Sequence, residues 1–272
     1  MSESNESSSS QVSNSPPCHE VRVGDFHWNE LLSQDIEASR TFYTGLFGWE
    51  SETMPHMGNY TVFRHNGHDE GGMMKHAMPD APSQWFPYVK VVSTDVSAAK
   101  VGVLGGNVVA PPMDIPTVGR IAVFIDPQGA LIGLFQPEHK PETHMGTGTA
   151  TCDWTGKFAW NELYSNDIEA SKSFYTQLFG WEVASMQGSD AYTLFKVDGK
   201  EVGGMMEPPM EGIPNHWMPY VGVINTDESA ALASKLGAQI MGPFDVPNIG
   251  RLAILQDPQG ARIGLFQPVV KV

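Results

Sequence analysis

The feature that most constrains this chain is that it is written twice. FHWNEL at 26 to 31 returns as FAWNEL at 158 to 163, and LFGWE at 46 to 50 returns at 178 to 182, an offset of 132 residues. The same offset carries GGMM at 71 to 74 onto 203 to 206 and PYV at 87 to 89 onto 219 to 221. After one deletion the offset becomes 131, carrying GR at 119 onto 250, DPQG at 126 onto 257 and GLFQP at 133 onto 264. Chance does not keep so many matches in order, so the sequence predicts two copies of one folding unit.

A weaker repeat lies inside each copy. An apolar stretch leads to an Asp and a helical start at DIEAS (35), DVSAA (95), DIEAS (167) and DESAA (227). Each Asp is suited to cap a helix, because its carboxylate accepts backbone N–H bonds and complements the helix dipole. Glycines then close the helices, at Gly45 or Gly48, Gly105, Gly180 and Gly237. Short β-rich segments split by glycine or proline turns follow, such as YTVFRH, EGGMM, RIAVFI and ALIGLF. Each quarter therefore reads as βαβββ, and the fold class as α+β: four such units in two tandem domains, each pair making one curved sheet around a cavity.

At 272 residues the chain is long enough for two domains with separate cores. The expected boundaries are a disordered Ser-rich tail over 1–23, a first domain over 24–137, a linker over 138–155 and a second domain over 156–268. Sixteen Lys and Arg against 31 Asp and Glu give a net charge of −15. Such a surface repels phosphate backbones and anionic headgroups, so no nucleic-acid or membrane partner is expected. Cys18 and Cys152 fall in the tail and linker and form no CxxC pair. With no signal-peptide pattern at the start, this fits a reducing cytoplasm.

WNEL, DIEAS with FY, LFGWE, GG, the GR strand and DPQGA with GLFQP resemble the two-domain glyoxalase-like proteins of bacteria. These belong to the glyoxalase, bleomycin-resistance and extradiol-dioxygenase (vicinal oxygen chelate) superfamily. The resemblance covers residues 24 to 137 and 156 to 268. It implies paired βαβββ units enclosing a ligand or metal, but not one reaction, since the superfamily includes lyases, dioxygenases and drug-binding proteins.

The resemblance also implies where a metal would be held: His or Gln on a unit's first strand, about seven residues before the capping Asp, and Glu on its last strand. Those positions carry Trp28 and Trp160, then Tyr88 and Tyr220, with Gly133 and Gly264 where the acid would stand. Indole, phenol and glycine do not supply the set that Zn²⁺, Ni²⁺ or Fe²⁺ requires. No cofactor is therefore expected, with a divalent metal left open. His27 is matched by Ala159 and is expected on the opposite sheet face from Trp28. His65, His68 and His76 are matched by Val197, Lys200 and Pro208, which points to a solvated, structurally neutral cluster.

Strand alternation places Glu30 beside Trp28 and Glu162 beside Trp160 on one face. A carboxylate walled by indole resists ionisation and is a candidate general base or a partner for a cationic ligand group; the alternative is a Glu held by backbone amides, or by Arg120 and Arg251 as a structural ion pair. Trp85, Tyr88, Met73 and Met74, with Trp217, Tyr220, Met205 and Met206, are candidates for an apolar ligand wall, or for ordinary core. Asn29 and Asn161 are expected to satisfy backbone groups, and DPQG to form turns. The leading expectation is a metal-independent protein that binds a small organic molecule in one or both domains. The alternatives are a lyase, isomerase or dioxygenase using Glu30 and Glu162 or an unrecognised metal set, and a drug-sequestering protein. In the last, covalent duplication makes a monomer with internal pseudo-dimer symmetry.

Overall fold

A computed structural model describes residues 21–138, 154–186 and 188–269. Most of the expected tail, most of the linker and both cysteines lie outside the described residues. The first half runs β1 (Phe26–Ser33), α1 (Ile36–Phe47), β2 (Glu50–Met54), β3 (Tyr60–His65), β4 (His68–Lys75), β5 (Gln84–Lys90), α2 (Thr94–Val103), β6 (Asn107–Ile115), β7 (Gly119–Ile125) and β8 (Leu131–Pro137). The second repeats it as β9 (Phe158–Tyr164), α3 (Ile168–Phe179), β10 (Glu182–Met186), β11 (Ser189–Val197), β12 (Lys200–Met206), β13 (His216–Gly222), α4 (Thr226–Lys235), β14 (Gln239–Val246), β15 (Gly250–Gln256) and β16 (Arg262–Pro268). Every quarter is βαβββ, and the class is α+β.

Each half forms one eight-stranded mixed sheet, ordered β2-β3-β4-β1-β5-β8-β7-β6 and β10-β11-β12-β9-β13-β16-β15-β14. The first strands of the two units lie together at the centre, with β1 antiparallel to β5 and β9 antiparallel to β13. Helices cover one face of each sheet. The other, here called the inner face, carries alternate residues of the same strands.

Capping differs between the units. Asp35 and Asp167 cap α1 and α3, accepting from the Ala38 and Ala170 amides, and Gly48 and Gly180 close them in the left-handed conformation. In the second units Ser93 and Asn225 are the caps. Asp95 and Asp227 sit one residue inside the first turn, where each carboxylate pairs with Arg120 or Arg251 instead. The residues just before a DxSAA pattern thus compete successfully for the cap.

The expectation of separate cores is overturned. One core joins Leu31, Phe42, Tyr43, Phe63 and Trp85 of the first half to Val221, Ala230, Ala233, Ile263 and Leu265 of the second. The other joins Val89, Ala98, Val101 and Phe124 to Leu163, Phe174, Tyr175 and Trp217. Each sheet presents apolar residues that its own helices do not cover fully, and the other half completes the layer. Polar groups cross the same boundary. Tyr43 donates to Asp257 at 2.7 Å and accepts from Trp85, and Tyr175 with Asp126 and Trp217 repeats the arrangement. The Trp49 and Trp181 indoles donate to the carbonyls of Gly156 and Gly24 in the opposite half.

The DPQG segments are turns, as expected, and their aspartates are also the acceptors of these inter-half bonds. Asp126 accepts from the Gln128 and Ala130 amides with one oxygen, and from Tyr175 with the other. Replacing Tyr43 or Tyr175 by Phe removes the donor while leaving the ring. The buried carboxylate and indole N–H then lack that partner, and each change is expected to cost about 1–3 kcal/mol in chemical denaturation.

Candidate active site on the inner faces

At the centre of each inner face a carboxylate is held by two phenols. Glu30 accepts from Tyr60 at 3.1 Å and from Tyr88 at 3.4 Å, while Trp28 donates its indole N–H to the Tyr60 hydroxyl at 2.9 Å. The second half repeats this more tightly. Glu162 accepts from Tyr192 at 2.7 Å and Tyr220 at 2.9 Å, and Trp160 donates to Tyr192 at 2.9 Å. Both carboxylates are buried, whereas both indoles remain half-buried.

The register explains the convergence. Trp28 faces Tyr88 across the central pair and Glu30 faces Phe86, with Gly72 beside Glu30 on β4 and Gly133 beside Tyr88 on β8. These two glycines are needed for space. A Cβ at Gly133 would lie inside the Tyr88 ring, and one at Gly72 would strike the Tyr60 hydroxyl. Gly264 and Gly204 stand in the same relation to Tyr220 and Tyr192. The ring of the adjacent tyrosine thus lies against the glycine at which the family resemblance would place an acid. Gly133→Ala or Gly264→Ala is therefore expected to lower stability by about 1–3 kcal/mol in thermal or urea unfolding, the usual cost of overpacking.

Burial pushes the Glu30 carboxyl up from 4.5 to about 7, against the opposing pull of the Tyr60 and Tyr88 hydrogen bonds. Burial raises Glu162 as well, opposed by Tyr192, Tyr220 and Tyr164. Burial, with the neighbouring carboxylate, raises all four phenols, so each remains a hydrogen-bond donor near neutrality. The arrangement can take up or release a proton near pH 7 on the first face, and can accept a hydrogen bond from a bound group on either.

Of the residues singled out from sequence, the inner faces bring together Glu30, Trp28 and Tyr88, and Glu162, Trp160 and Tyr220. Trp85 and Met73 lie on the opposite side of the sheet in one inter-half core, and Trp217 and Met205 in the other. Strand parity separates them from the carboxylates: Leu31 pairs with both Trp85 and Met73. Met206 packs on the inner face. Arg120 bridges Asp95 and Asp114 at 2.8 Å, and Arg251 bridges Asp227 and Asp245. Neither is the partner of a buried Glu; the phenols are.

Tyr60 and Tyr192 lie outside the residues expected at the site, and the sequence signal that marks them is the repetition of YTVF and YTLF at the same offset of 132. His27 also departs from expectation. A bulge between Phe26 and Trp28 breaks the alternation and stacks His27 on Phe135, a member of the inner-face cluster, at 4.4 Å. Both Asn29 and Asn161 are buried, and among the described residues the Asn29 amide and the Asn161 amide oxygen have no hydrogen-bond partner, so the expected bonds to backbone groups are not formed by these atoms.

The donor set can be tested for a metal on these residues. Each face offers one carboxylate, already bonded to two phenols, beside an indole, with a single imidazole, His27 on the first face and His216 on the second. No group of three or more His, Cys, Asp or Glu suited to a metal occurs among the described residues. This does not match the imidazole and carboxylate sets that hold catalytic transition metals. Among the described residues no helix is long and apolar enough to cross a membrane.

Residues 26–66 and 157–198 match the family model for the bleomycin resistance protein-like N-terminal unit, once in each half. The putative glyoxylase CFP32 of Mycobacterium tuberculosis is 36% identical over 262 residues, covering 93% of this chain and 98% of that protein. This chain belongs to the vicinal oxygen chelate superfamily of glyoxalase-like proteins. The anthracycline biosynthesis protein DauV of a Streptomyces species is 30% identical over 260 residues, covering 88% of this chain and 92% of that one. Among solved structures, the Mn(II)-bound glyoxalase of Novosphingobium aromaticivorans superposes with a TM-score of 0.62 at 15% identity, over 92% of this chain and 84% of that one. At that identity the similarity is one of fold.

Proposed function

We propose that this glyoxalase-like chain binds a small organic molecule with a flat conjugated surface on one or both inner faces, without the metal held by its distant structural neighbour. The observation that carries the reading is the repeated Trp, Tyr, Glu, Tyr network, in which tyrosine rings lie against Gly133 and Gly264. Half-buried Trp28 and Trp160 offer aromatic surface for stacking, and the carboxylates offer an acceptor for one polar group of the ligand. The name of DauV, which attaches that relative to anthracycline biosynthesis, supports a fused-ring ligand.

A thermal-shift screen of neutral quinones, thiol conjugates and aromatic metabolites tests this directly. A ligand at 100 times its Kd stabilises the native state by about 2.7 kcal/mol. Elemental analysis of protein purified without chelator tests the metal-independent part, and one tightly held transition metal per half would contradict it.

A second reading is favoured by the carboxyl of Glu30, which burial brings to about 7. A group titrating there is suited to take a proton from carbon or oxygen of a bound substrate, as a lyase or isomerase requires. For that activity, Glu30→Gln with Glu162→Gln is expected to lower kcat by roughly 10²- to 10⁴-fold. Unchanged turnover in the double variant would exclude the base role. Saturable binding with no product would favour sequestration.

A further inference from the structure

The two inner faces share their central network but differ around it. Leu32, Gln84 and Leu131 of the first face are replaced in the second by Tyr164, His216 and Arg262. Tyr164 and His216 are register partners on β9 and β13, with their rings edge to face at 5.3 Å. Arg262 opens β16 in alternation with Gly264 and Phe266, which lie against Tyr220 and in the inner cluster respectively. Its guanidinium acts electrostatically on both the Tyr164 phenol and the His216 ring.

Two features of this trio call for a ligand. Five of the six arginines in the chain, Arg22, Arg40, Arg64, Arg120 and Arg251, are in ion pairs with carboxylates. Arg262 has none among the described residues, although the chain carries 31 acidic side chains. A planar guanidinium of this kind is matched to a carboxylate by two parallel hydrogen bonds. Next, His216 Nδ1 lies 2.8 Å from the Pro214 carbonyl, which only accepts, so Nδ1 carries the proton and donates. Nε2 is then a buried lone pair, and it has no hydrogen-bond partner among the described residues. Burial holds the ring in its neutral form, and the Arg262 charge works in the same direction.

We infer that the second inner face, and not the first, has a subsite for an organic hydroxy acid: Arg262 takes the carboxylate, and His216 Nε2 accepts from the hydroxyl. This rests on the proposed binding function and adds the class of ligand for one face. The first face, with leucine at two of the three positions, is left to neutral ligands. The two halves then differ in specificity through three side chains on an unchanged scaffold.

Mandelate, an aromatic 2-hydroxy acid, serves as the probe, with mandelamide as its uncharged counterpart and phenylacetate as the acid lacking the hydroxyl. In calorimetry on the full chain, one mandelate is expected per molecule. Arg262→Leu, which installs the residue of the first face, should weaken mandelate at least about tenfold, the scale of one charge-assisted pair, and leave mandelamide nearly unchanged. Mandelate should bind several-fold more tightly than phenylacetate, and His216→Gln should remove that preference. On the unaltered chain, mandelate should shift the His216 ring resonances, which keeps the test valid if Arg262→Leu fails to fold; Arg262→Gln is the milder alternative. No mandelate binding, or affinity indifferent to Arg262, overturns the acid subsite. If a neutral fused-ring compound still saturates an inner face in that case, only the subsite fails; if neither binds, the broader function fails with it.

Discussion

Neither half is expected to fold as a monomer when expressed alone. Separating residues 24–137 from 156–268 would expose both composite cores at once: Phe42, Tyr43, Phe63 and Trp85 would lose Val221, Ala233 and Leu265, and Val89, Val101 and Phe124 would lose Phe174 and Trp217. Burial of one large apolar side chain is worth roughly 1.5–3 kcal/mol, and a domain's net stability is about 5–15 kcal/mol. Loss of several such contacts exceeds what a half can retain. The buried aspartates Asp126 and Asp257 would lose their tyrosine donors as well. Circular dichroism and size-exclusion chromatography of the separate halves are expected to show either no cooperative unfolding or a self-paired dimer. Mixing the halves should restore one sharp transition. A monomeric half that unfolds cooperatively by itself would contradict the inter-half cores.

The second large effect is on pH dependence. The folded-state Glu30 carboxyl titrates at about 7, against an ordinary 4.5. Between those values the native state binds the extra proton, so stability is fully present below about 4.5, falls as pH rises, and levels off above about 7. The shift corresponds to roughly 3 kcal/mol at 1.36 kcal/mol per pH unit. Glu162 adds a change of the same sign. Glu70, pushed by burial to about 8, and Asp126 and Asp257, also raised by burial, slope the same way; His76 and His216, lowered by burial, slope oppositely. The wild-type curve alone therefore does not isolate the pair. Its difference from the Glu30→Gln, Glu162→Gln double variant does. Urea denaturation is expected to show the variant gaining relative to wild type by about 3 kcal/mol or more from pH 5 to pH 8. Parallel curves would mean that the two carboxylates are solvated in the native state.

Duplication, strand order within a unit and the pairing of Trp with Glu were legible in the sequence because they depend on local period and on exact repetition. Alternation along WNEL sufficed to put Trp28 and Glu30 on one side. It was insufficient one residue earlier, where a bulge returned His27 to the same side. What lay between distant segments was not legible. Trp85 and Met73 have the composition of a ligand wall, and only their pairing with Leu31 places them in a core shared with the other half. Arg120 and Arg251 looked available to the buried acids, yet Asp95 and Asp227, in the first turns of α2 and α4, hold them. Tyr60 and Tyr192 could have been found from their repetition, whereas their contact with glutamates 30 residues earlier required the sheet.

The measurement that bears most directly on ligand binding at the inner faces is calorimetric stoichiometry with a neutral fused-ring compound from the thermal screen. At least one site is expected on the unaltered chain, and two where both inner faces bind the compound. Glu30→Gln should weaken a site on the first face and Glu162→Gln a site on the second, each by about tenfold, the scale of a hydrogen bond to a charged acceptor. A single site indifferent to both substitutions would contradict this, and would leave the duplicated Trp, Tyr and Glu network with a purely structural role.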